Sequence, residues 1–342
     1  MNRSMLGVID ATTQPESMED LLLHRSLAAV PFAGRYRLID FILSNMVNSG
    51  IQSVAIFPKH QYRSLMDHLG SGKDWDLNRK RDGLFFFPSP KLESEGEKSG
   101  LFCHFAQHID YFKRSTQKYA LISNCYTVFN MDFSPILKKL EADGCDILQI
   151  HNQGRPIELY VVSVPLLIEL IETRKETGYT CIQDIVNDAN HSYHICQYEM
   201  DGYCEQIQSI QDFYTISMEL LQKENWCQLF NKFQPIYTKV KDEPPTKYTD
   251  TSLVKNSMIA NGTVIEGEIE QSVISRAVFI GKNTTVKNCI IMQKSKVGEN
   301  CELAHVIIDK DAVIGDGVKL IGTPEEPIVI RKGSVQGVLM NS

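Results

Sequence analysis

The chain has 342 residues, of which 43% are hydrophobic and 23% are charged, and its formal net charge is −7. This length suffices for two folded domains, and the acidic balance argues against general nucleic-acid binding, which favours a basic face. No apolar run approaches the ~18 residues of a membrane span, and the apolar stretch near the N-terminus is too short for a signal peptide. We therefore expect a cytoplasmic protein that does not contact a membrane.

Cysteine and histidine placement bears on metal and redox chemistry. The nine cysteines are scattered and form no CxxC pair, so we predict free thiols. His104 and His108 have the i, i+4 spacing of a helical metal site. Neither an HExxH pattern nor an acidic ligand set accompanies them, and two packed or solvated histidines are the favoured interpretation. The sequence thus predicts no metal site.

Up to about residue 233, short β-rich runs alternate with helical patterns. The predicted strands are Met5–Ile9, Ser53–Phe57, Tyr119–Ser123, Asp146–Ile150 and Glu158–Val164, and the predicted helices are Leu38–Ser49, Tyr62–Leu69, Ser134–Ala142 and Pro165–Thr177. This alternation predicts an α/β domain, residues 1–233, with a doubly wound, mostly parallel sheet. The run Phe85–Phe87 is either a buried strand, which is favoured, or an exposed interface patch.

Residues 234–252 break the alternation with charges and the pair Pro244-Pro245, so we interpret them as a crossing segment or linker. From residue 253 to 342, aliphatic residues recur mostly every six positions, with Ile280, Val297 and Ile314 each followed by glycine. Hexapeptide periodicity indicates a left-handed parallel β-helix, here of about four coils. The alternative, a β-sandwich, would show a period of two and hairpin turns.

The loop after the first strand lies where such sheets bind nucleotides. Backbone N–H groups reach phosphate oxygens only where side chains do not intervene, hence the glycines of phosphate-binding loops. The segment Ala11–Leu23 has no glycine and no basic residue, and it carries Glu16, Glu19 and Asp20. It cannot hold a triphosphate.

Several long motifs carry a family resemblance: Val30–Phe41, Leu43–Asn45, Asn48–Gly50, Trp75–Arg79, Pro235–Thr238 and Pro244–Tyr248 ahead of the repeats. In this order, over nearly the whole chain, they resemble glucose-1-phosphate adenylyltransferases (ADP-glucose pyrophosphorylases), and most of all the non-catalytic members of glycogen biosynthesis. The family makes ADP-glucose from ATP and glucose 1-phosphate for glycogen or starch. The resemblance implies a nucleotidyltransferase-like sheet before the β-helix.

The resemblance also identifies what is missing. The family's glycine-rich loop, with its arginine, corresponds to Ala11–Leu23. The lysine and proline of its next motif fall at Leu27 and Ala28, and its Gly-Thr-Ala-Asp segment falls at Gly100–Cys103. Tyr126 replaces one metal-binding aspartate, and the second falls near Gln206–Ser209. Only eight residues separate strands 146–150 and 159–164, where catalytic members have dozens, including the lysine that holds the sugar phosphate. We predict no catalytic, cofactor-binding or metal residues.

Three arginines are candidate contacts for an anionic effector, namely Arg25, Arg35 and Arg37, because this region of the family helps bind such effectors near the β-helix. A solvated or structurally paired arginine is the alternative for each. Glu302, Ala304 and His305 stand where arginines would be expected, which argues against a tight effector site.

The favoured hypothesis is therefore a regulatory or structural subunit, which assembles with a catalytic glucose-1-phosphate adenylyltransferase, as a heterotetramer, and raises its activity or stability. The catalytic partner would use Mg²⁺ and ATP, and a homo-oligomer is possible when the chain is alone. One alternative is a divergent active adenylyltransferase that converts ATP and glucose 1-phosphate to ADP-glucose and pyrophosphate. Another is an acyltransferase on the β-helix that uses His305.

Overall fold

A computed structural model describes residues 4–59, 61–88 and 100–337. The strands of its N-terminal part are β1 Met5–Ala11, β2 Pro31–Phe32, β3 Tyr36–Arg37, β4 Ser53–Pro58, β5 Gly83–Phe86, β6 Tyr119–Asn124, β7 Thr127–Phe129, β8 Ile147–Asn152, β9 Arg155–Ser163, β10 Ile195–Met200 and β11 Cys204–Gln206. The helices are α1 Glu19–Leu22, α2 Leu38–Asn48, α3 Arg63–Leu69, α4 Leu101–Gln107, α5 Ile109–Arg114, α6 Ser134–Asp143, α7 Val164–Glu172, α8 Arg174–Thr177, α9 Ile182–Asn187, α10 Ile210–Glu219 and α11 Lys223–Leu229.

Seven strands form the main sheet, in the order β10-β8-β9-β6-β1-β4-β5. Its pairs are parallel except that β9 runs antiparallel to both β6 and β8. Strands β1, β4, β6 and β8 are buried along almost their whole length, as expected where helices cover both faces of a parallel sheet. The prediction of a mostly parallel α/β sheet is confirmed.

Two local predictions differ in detail from the structure. The predicted helix Pro165–Thr177 is two helices, α7 and α8, which meet at Thr173, and α8 ends at Gly178 in the left-handed conformation. Phe85 and Phe86 lie in the edge strand β5 and Phe87 directly follows it, and all three rings are half-buried. Phe85 and Phe87 both pack on the Tyr111 ring, with centroids 5.0 and 4.8 Å away.

The C-terminal strands form three parallel sheets of six, five and five strands. They are β12 Lys247–Tyr248, β13 Leu253–Lys255, β14 Met258–Ile259, β15 Val264–Ile265, β16 Glu268–Glu270, β17 Val273–Ile274, β18 Phe279–Ile280, β19 Thr285–Lys287, β20 Ile290–Ile291, β21 Lys296–Val297, β22 Glu302–Ala304, β23 Val306–Ile308, β24 Val313–Ile314, β25 Lys319–Ile321, β26 Ile328–Ile330 and β27 Val335–Gln336.

These sheets are the faces of a left-handed parallel β-helix, as the repeats predict. Ile265, Ile280, Val297 and Ile314 stack inward on one face and are fully buried. The β-helix has at least five strands per face, more than the about four coils predicted from repeat counting. It also begins earlier than residue 253, because β12 pairs with β15 although it lies within the segment that the sequence assigns to the crossing.

The β-helix is packed against the sheet domain over a shared apolar core. Ile290, Met292 and Ile307 belong to the same buried cluster as Leu27 of the sheet domain. Beside them, the Arg25 guanidinium contacts both carboxylate oxygens of Asp309, with Nη1–Oδ1 and Nη2–Oδ2 distances of 2.8 and 2.9 Å. Both side chains are about 97% buried or more, so the ion pair is part of the interface core.

One cysteine prediction is wrong. Cys145 and Cys196 form a disulfide, with their Cα atoms 5.9 Å apart, and the other seven cysteines are free. Cys145 lies two residues before β8, and Cys196 lies in β10, the strand paired with β8. The separation of 51 residues in sequence hides this proximity, because it arises only when the two strands pair.

In the described residues, no helix combines the length and the apolar character needed to cross a bilayer.

The Arg25–Asp309 pair makes a testable contribution to stability. Replacing Arg25 by Met leaves the Asp309 carboxylate buried without its counter-charge, which should cost about 3–5 kcal/mol. Urea unfolding of the full chain measures this cost. The exposed pair Lys319–Glu302 supplies a matched control, because Lys319→Met should change stability by only about 0–1 kcal/mol. Equal effects of the two substitutions would contradict the structural role of Arg25.

Candidate functional site

The carboxyl ends of β1, β6 and the hairpin of β8 and β9 surround the position where a nucleotide binds in sheets of this kind. Here they enclose a cavity of about 100 Å³, lined among others by Asp10, Asn124, Glu158 and Tyr160. Pockets for nucleotide-sized ligands are several times larger, roughly 300–1,000 Å³. The cavity therefore has no room for ATP.

The loop after β1 is closed by its own apolar side chains. It forms a short 3-10 helix, Glu16–Met18, followed by α1, and Met18, Leu21 and Leu22 are buried in the main core. Ser17 Oγ donates a hydrogen bond of 2.7 Å to the Gln208 carbonyl oxygen. A loop that buries side chains in this way cannot turn a row of backbone N–H groups toward phosphate oxygens.

The same loop contacts the β-helix through charge. The Asp20 carboxylate pairs with Arg331 at 2.6 Å, while Glu16 and Glu19 are exposed. Leu27 and Ala28, which occupy the family's lysine and proline positions, lie fully buried in a 3-10 helix, Leu27–Ala29. Apolar packing thus replaces the lysine that would approach a triphosphate.

Tyr126 fills the position of the first metal-binding aspartate. Its hydroxyl donates a hydrogen bond to the Glu158 carboxylate, and burial raises the pKa of this hydroxyl, with Glu158 adding to the effect. Glu158 has a positive φ of 54° within a strand, next to an irregularity in the β8–β9 pairing. Bulges of this kind redirect a side chain, and here the carboxylate is directed to Tyr126 rather than to an open metal site.

The second metal position, predicted near Gln206–Ser209, does lie beside Tyr126. Strand β11 pairs with β7, and the Ile207 N–H donates to the Tyr126 carbonyl oxygen at 3.0 Å. No carboxylate stands in this segment, and Ser209 instead caps α10 by accepting from the Asp212 N–H at 3.0 Å. The structure therefore brings both metal positions together, with a tyrosine and glutamine residues in place of aspartates.

Asp10 is the remaining carboxylate of the cavity. Its side chain is half-buried, and desolvation raises its pKa, although hydrogen bonds from Thr12 oppose the shift. The Thr12 backbone N–H and hydroxyl both donate to Asp10 Oδ1, at 2.8 and 2.7 Å. This carboxyl group is thus engaged in a local turn.

The short connection between β8 and β9 is a tight hairpin. Only Gln153 and Gly154 separate the strands, and both have positive φ, 52° and 74°, as in the two-residue turns that suit the twist of a hairpin. Most of residues 151–158, which lie between the two predicted strands, therefore belong to β8 and β9 themselves. The side chains that this turn exposes are Gln153 and, at the start of β9, Arg155.

The three candidate effector arginines occupy different environments. Arg25 is buried and paired with Asp309, so it serves the interface rather than an open site. Arg35 is exposed, with its guanidinium 5.3 Å from the Tyr36 ring centroid. Arg37 is half-buried and donates to the Ser64 carbonyl oxygen at 2.6 Å, and burial lowers its pKa to about 10.

Arg37 belongs to a cluster of cations that the sequence analysis missed. Burial lowers the pKa of Lys310 to about 8, and the charges of Arg37, Arg25 and Lys241 lower it further. Burial likewise lowers the pKa of Lys241, with Arg276, Arg37 and Lys294 as the neighbouring cations. We call Arg37, Lys241, Arg276, Lys294 and Lys310 the interface cation cluster.

The cluster lies where the sheet domain meets the β-helix, and neighbouring cations lower the pKa values of Lys241 and Lys310. In the part of the chain that the structure describes, Lys241, Arg276, Lys294 and Lys310 form no ion pair with a carboxylate. Lys241 and Lys294 are exposed, Lys310 is half-buried and Arg276 is buried. Such a group of positive charges is suited to an anion with several negative oxygens. Part of the interface cation cluster could have been recognised from the period of the β-helix. Paired strands are 17 residues apart here, and Arg276 and Lys310 are separated by two such periods.

The predicted site histidines are each engaged elsewhere. His305 Nδ1 lies 2.7 Å from the Tyr214 hydroxyl, so the histidine considered for acyl transfer is bonded at the surface between α10 and the β-helix. His104 is buried on α4, and the His108 ring packs on Phe87 with centroids 4.7 Å apart.

Comparisons with known proteins agree with this architecture. Residues 19–157 match the family model described as "Nucleotidyl transferase", and residues 244–327 match "GlmU-like, C-terminal hexapeptide". The chain is 56% identical over 341 residues to the glycogen biosynthesis protein GlgD of Bacillus subtilis (strain 168), covering 100% of this chain and 99% of that protein. It is 59% identical over 342 residues to the protein of the same name from Geobacillus stearothermophilus, covering both completely.

A more distant relative is the glucose-1-phosphate adenylyltransferase of Bacillus mycoides (strain KBAB4). It is 27% identical over 331 residues, with 84% of this chain and 87% of that protein covered. Full-length identity above one half to proteins named GlgD, with this enzyme as a remoter relative, agrees with the fold and with the altered nucleotide site. The chain belongs to the GlgD family of glycogen biosynthesis proteins, which has glucose-1-phosphate adenylyltransferases among its more distant relatives.

Proposed function

We propose that this chain is a non-catalytic subunit that binds a catalytic glucose-1-phosphate adenylyltransferase and supports ADP-glucose formation for glycogen biosynthesis. The names of its relatives supply the pathway and the class of partner. The observation that carries the non-catalytic role is the closed nucleotide site, where Met18 and Leu21 are buried in the loop and Tyr126 holds Glu158. The catalytic partner would supply the site for Mg²⁺ and ATP.

The proposal also follows from what the reaction requires. Attack of the sugar phosphate on the α-phosphorus builds charge on phosphoryl oxygens, so cations must already be in place around them. A metal held by carboxylates, together with lysine or arginine, ordinarily provides this charge. The resemblance places the family's lysine at Leu27, which is buried here, and one metal-binding aspartate at Tyr126, which donates a hydrogen bond to Glu158. Each loss removes several kcal/mol of transition-state stabilisation.

The first test uses three preparations: this chain alone, a catalytic homologue alone, and the two co-expressed. We expect no ADP-glucose formation by this chain alone, co-purification of the pair, and a higher kcat or a lower KM in the pair than in the homologue, because binding between subunits can favour the active state of the partner. Turnover by this chain alone would establish the alternative, a divergent adenylyltransferase. Failure to co-purify would refute the partnership.

A second test, made on the complex, distinguishes a non-catalytic subunit from a divergent enzyme. Asp10 is a half-buried carboxyl group that lines the cavity, and Asp10→Asn keeps an oxygen acceptor for the two hydrogen bonds from Thr12. In a non-catalytic subunit the variant complex should retain ADP-glucose formation within about twofold. A divergent enzyme that uses this carboxylate would lose roughly 100-fold or more. Asparagine in place of a metal-binding aspartate of the catalytic partner serves as the positive control.

We also propose that the interface cation cluster binds a polyvalent anion that regulates the assembly, with Arg37 as the one candidate arginine that belongs to it. The depressed pKa values of Lys310 and Lys241 support this role, because a bound anion would relieve the mutual repulsion that lowers them. Arg25 contributes indirectly by pairing with Asp309, the neighbour of Lys310.

Lys310 provides the readout. With a pKa of about 8, about half of its amine is uncharged at pH 8, so acetic anhydride should label it several-fold faster than the exposed Lys332. Inorganic phosphate should raise this pKa and slow the labelling of Lys310, as measured by mass spectrometry of the peptides. Arg37→Met should weaken the phosphate effect, whereas Lys332→Met should not. Phosphate protection that is equal in the wild-type chain and Arg37→Met would contradict this anion site.

A further inference from the structure

A cluster of two cysteines and one histidine lies at the edge of the main sheet, away from the nucleotide cavity and the cation cluster. Three side-chain atoms lie within 4.8 Å of one another: the sulfurs of Cys145 and Cys196 and one ring nitrogen of His194. Cys145 is buried, Cys196 is half-buried and His194 is exposed, so solvent reaches the cluster from one side. The two sulfurs are joined in the structure.

We propose that Cys145 and Cys196 are a reversible thiol–disulfide pair, oxidised by a low-molecular-weight disulfide and reduced by a dithiol, with His194 as the base that activates Cys196. The backbone meets the geometric requirement, because a Cα separation of 5.9 Å falls within the range of about 4.4–6.8 Å that disulfides span. Pairing of β8 with β10 holds that separation fixed. Reduction and oxidation therefore need no rearrangement of the sheet.

His194 is positioned for proton transfer by its neighbours. Its Nδ1 lies 3.3 Å from the Gly144 carbonyl oxygen and its Nε2 lies 3.8 Å from the Cys196 sulfur. When Nδ1 carries the proton and donates it to Gly144, Nε2 presents its lone pair to Cys196. The Asp146 carboxylate accepts a 2.8 Å hydrogen bond from the His194 backbone N–H, which fixes the segment that carries the imidazole.

The oxidation balances in two exchange steps. In the first, His194 accepts the thiol proton of Cys196, and the thiolate attacks one sulfur of the small disulfide, forming a mixed disulfide at Cys196 and releasing one small thiol. In the second, Cys145 loses its proton to solvent and attacks the Cys196 sulfur, which releases the second small thiol. The two protein thiols are oxidised, and one small disulfide is reduced to two thiols.

Oxidation cross-links the edge strand β10 of the main sheet. Strand β10 is the last strand on its side of the main sheet, and alternate residues along it are exposed. The disulfide joins Cys196 of this strand to Cys145, two residues before β8, and closes a loop of 51 residues. The oxidised chain should therefore resist unfolding more than the reduced chain. The pair thus couples the redox state of the surroundings to the order of this edge.

The experiment maps the cysteines of the full chain after equilibration in buffers with varied ratios of reduced to oxidised glutathione. Samples are quenched with acid and alkylated, and their peptides are analysed by mass spectrometry. We expect Cys145 and Cys196 to become protected together as the oxidised fraction rises and to be recovered with dithiothreitol. Cys227→Ser, at an exposed free cysteine, should behave as the wild type. Cys145→Ser should stop at the mixed disulfide on Cys196.

Two further measurements decide the proposal. The thermal midpoint should rise by several degrees on oxidation in the wild type and in Cys227→Ser, but not in Cys145→Ser. In the Cys145→Ser background, His194→Asn should slow formation of the mixed disulfide about tenfold or more while leaving the thermal midpoint unchanged. A structural histidine would instead change the midpoint and leave the rate unaffected.

Specific outcomes would overturn the proposal. One is that both cysteines stay alkylatable at every glutathione ratio, and another is that either cysteine pairs with a different one. A third concerns metal binding, because a Cys₂His cluster can bind Zn²⁺. If the reduced chain retains one equivalent of added Zn²⁺ through dialysis, and the metal protects both thiols from oxidised glutathione, the cluster is a metal site and the disulfide proposal fails.

Discussion

The buried ion pair between Arg25 and Asp309 fixes where the sheet domain sits on the β-helix. Both charges are removed from water, and Met292 packs beside the guanidinium. A buried pair is favourable only while its geometry is kept, because displacement leaves two desolvated charges. The pair therefore acts as a positional constraint on the interface. It also gives Arg25 a counter-charge inside the interface.

The apolar loop that closes the nucleotide site also contributes to the stability of the fold. Met18, Leu21 and Leu27 are buried where a phosphate-binding loop would keep glycine and lysine in contact with solvent. Burying a side chain of this size contributes roughly 1.5–3 kcal/mol. Restoring a phosphate loop would forfeit that packing, and Tyr126 would also have to release Glu158. The conformation of this loop is thus held in place by the packing of the fold.

Local patterns were sufficient for the secondary-structure elements. The helical pattern at residues 38–49 and the six-residue repeats each depend on neighbours in sequence, and both predictions are confirmed. The inference from the loop without glycine stays a prediction, because it concerns activity. Contacts between distant segments could not be foreseen. Arg25 and Asp309 are 284 residues apart, and Cys145 and Cys196 meet only through strand pairing. Arg276 and Lys310 were detectable in principle, but only once the coil period was known.

The position of the interface cation cluster limits what an anion can do there. An anion that contacts Arg37 on the sheet domain and Lys310 on the β-helix binds only when the two are docked, so its binding energy adds to the docking energy. Coupling between two binding events is reciprocal. The anion can therefore change this chain's affinity for a partner subunit only if assembly alters the spacing between Arg37 and Lys310. Because the Arg25–Asp309 pair holds that spacing, a regulatory effect requires the partner to strain or relax this interface. Regulation and stability of the interface therefore depend on the same contact.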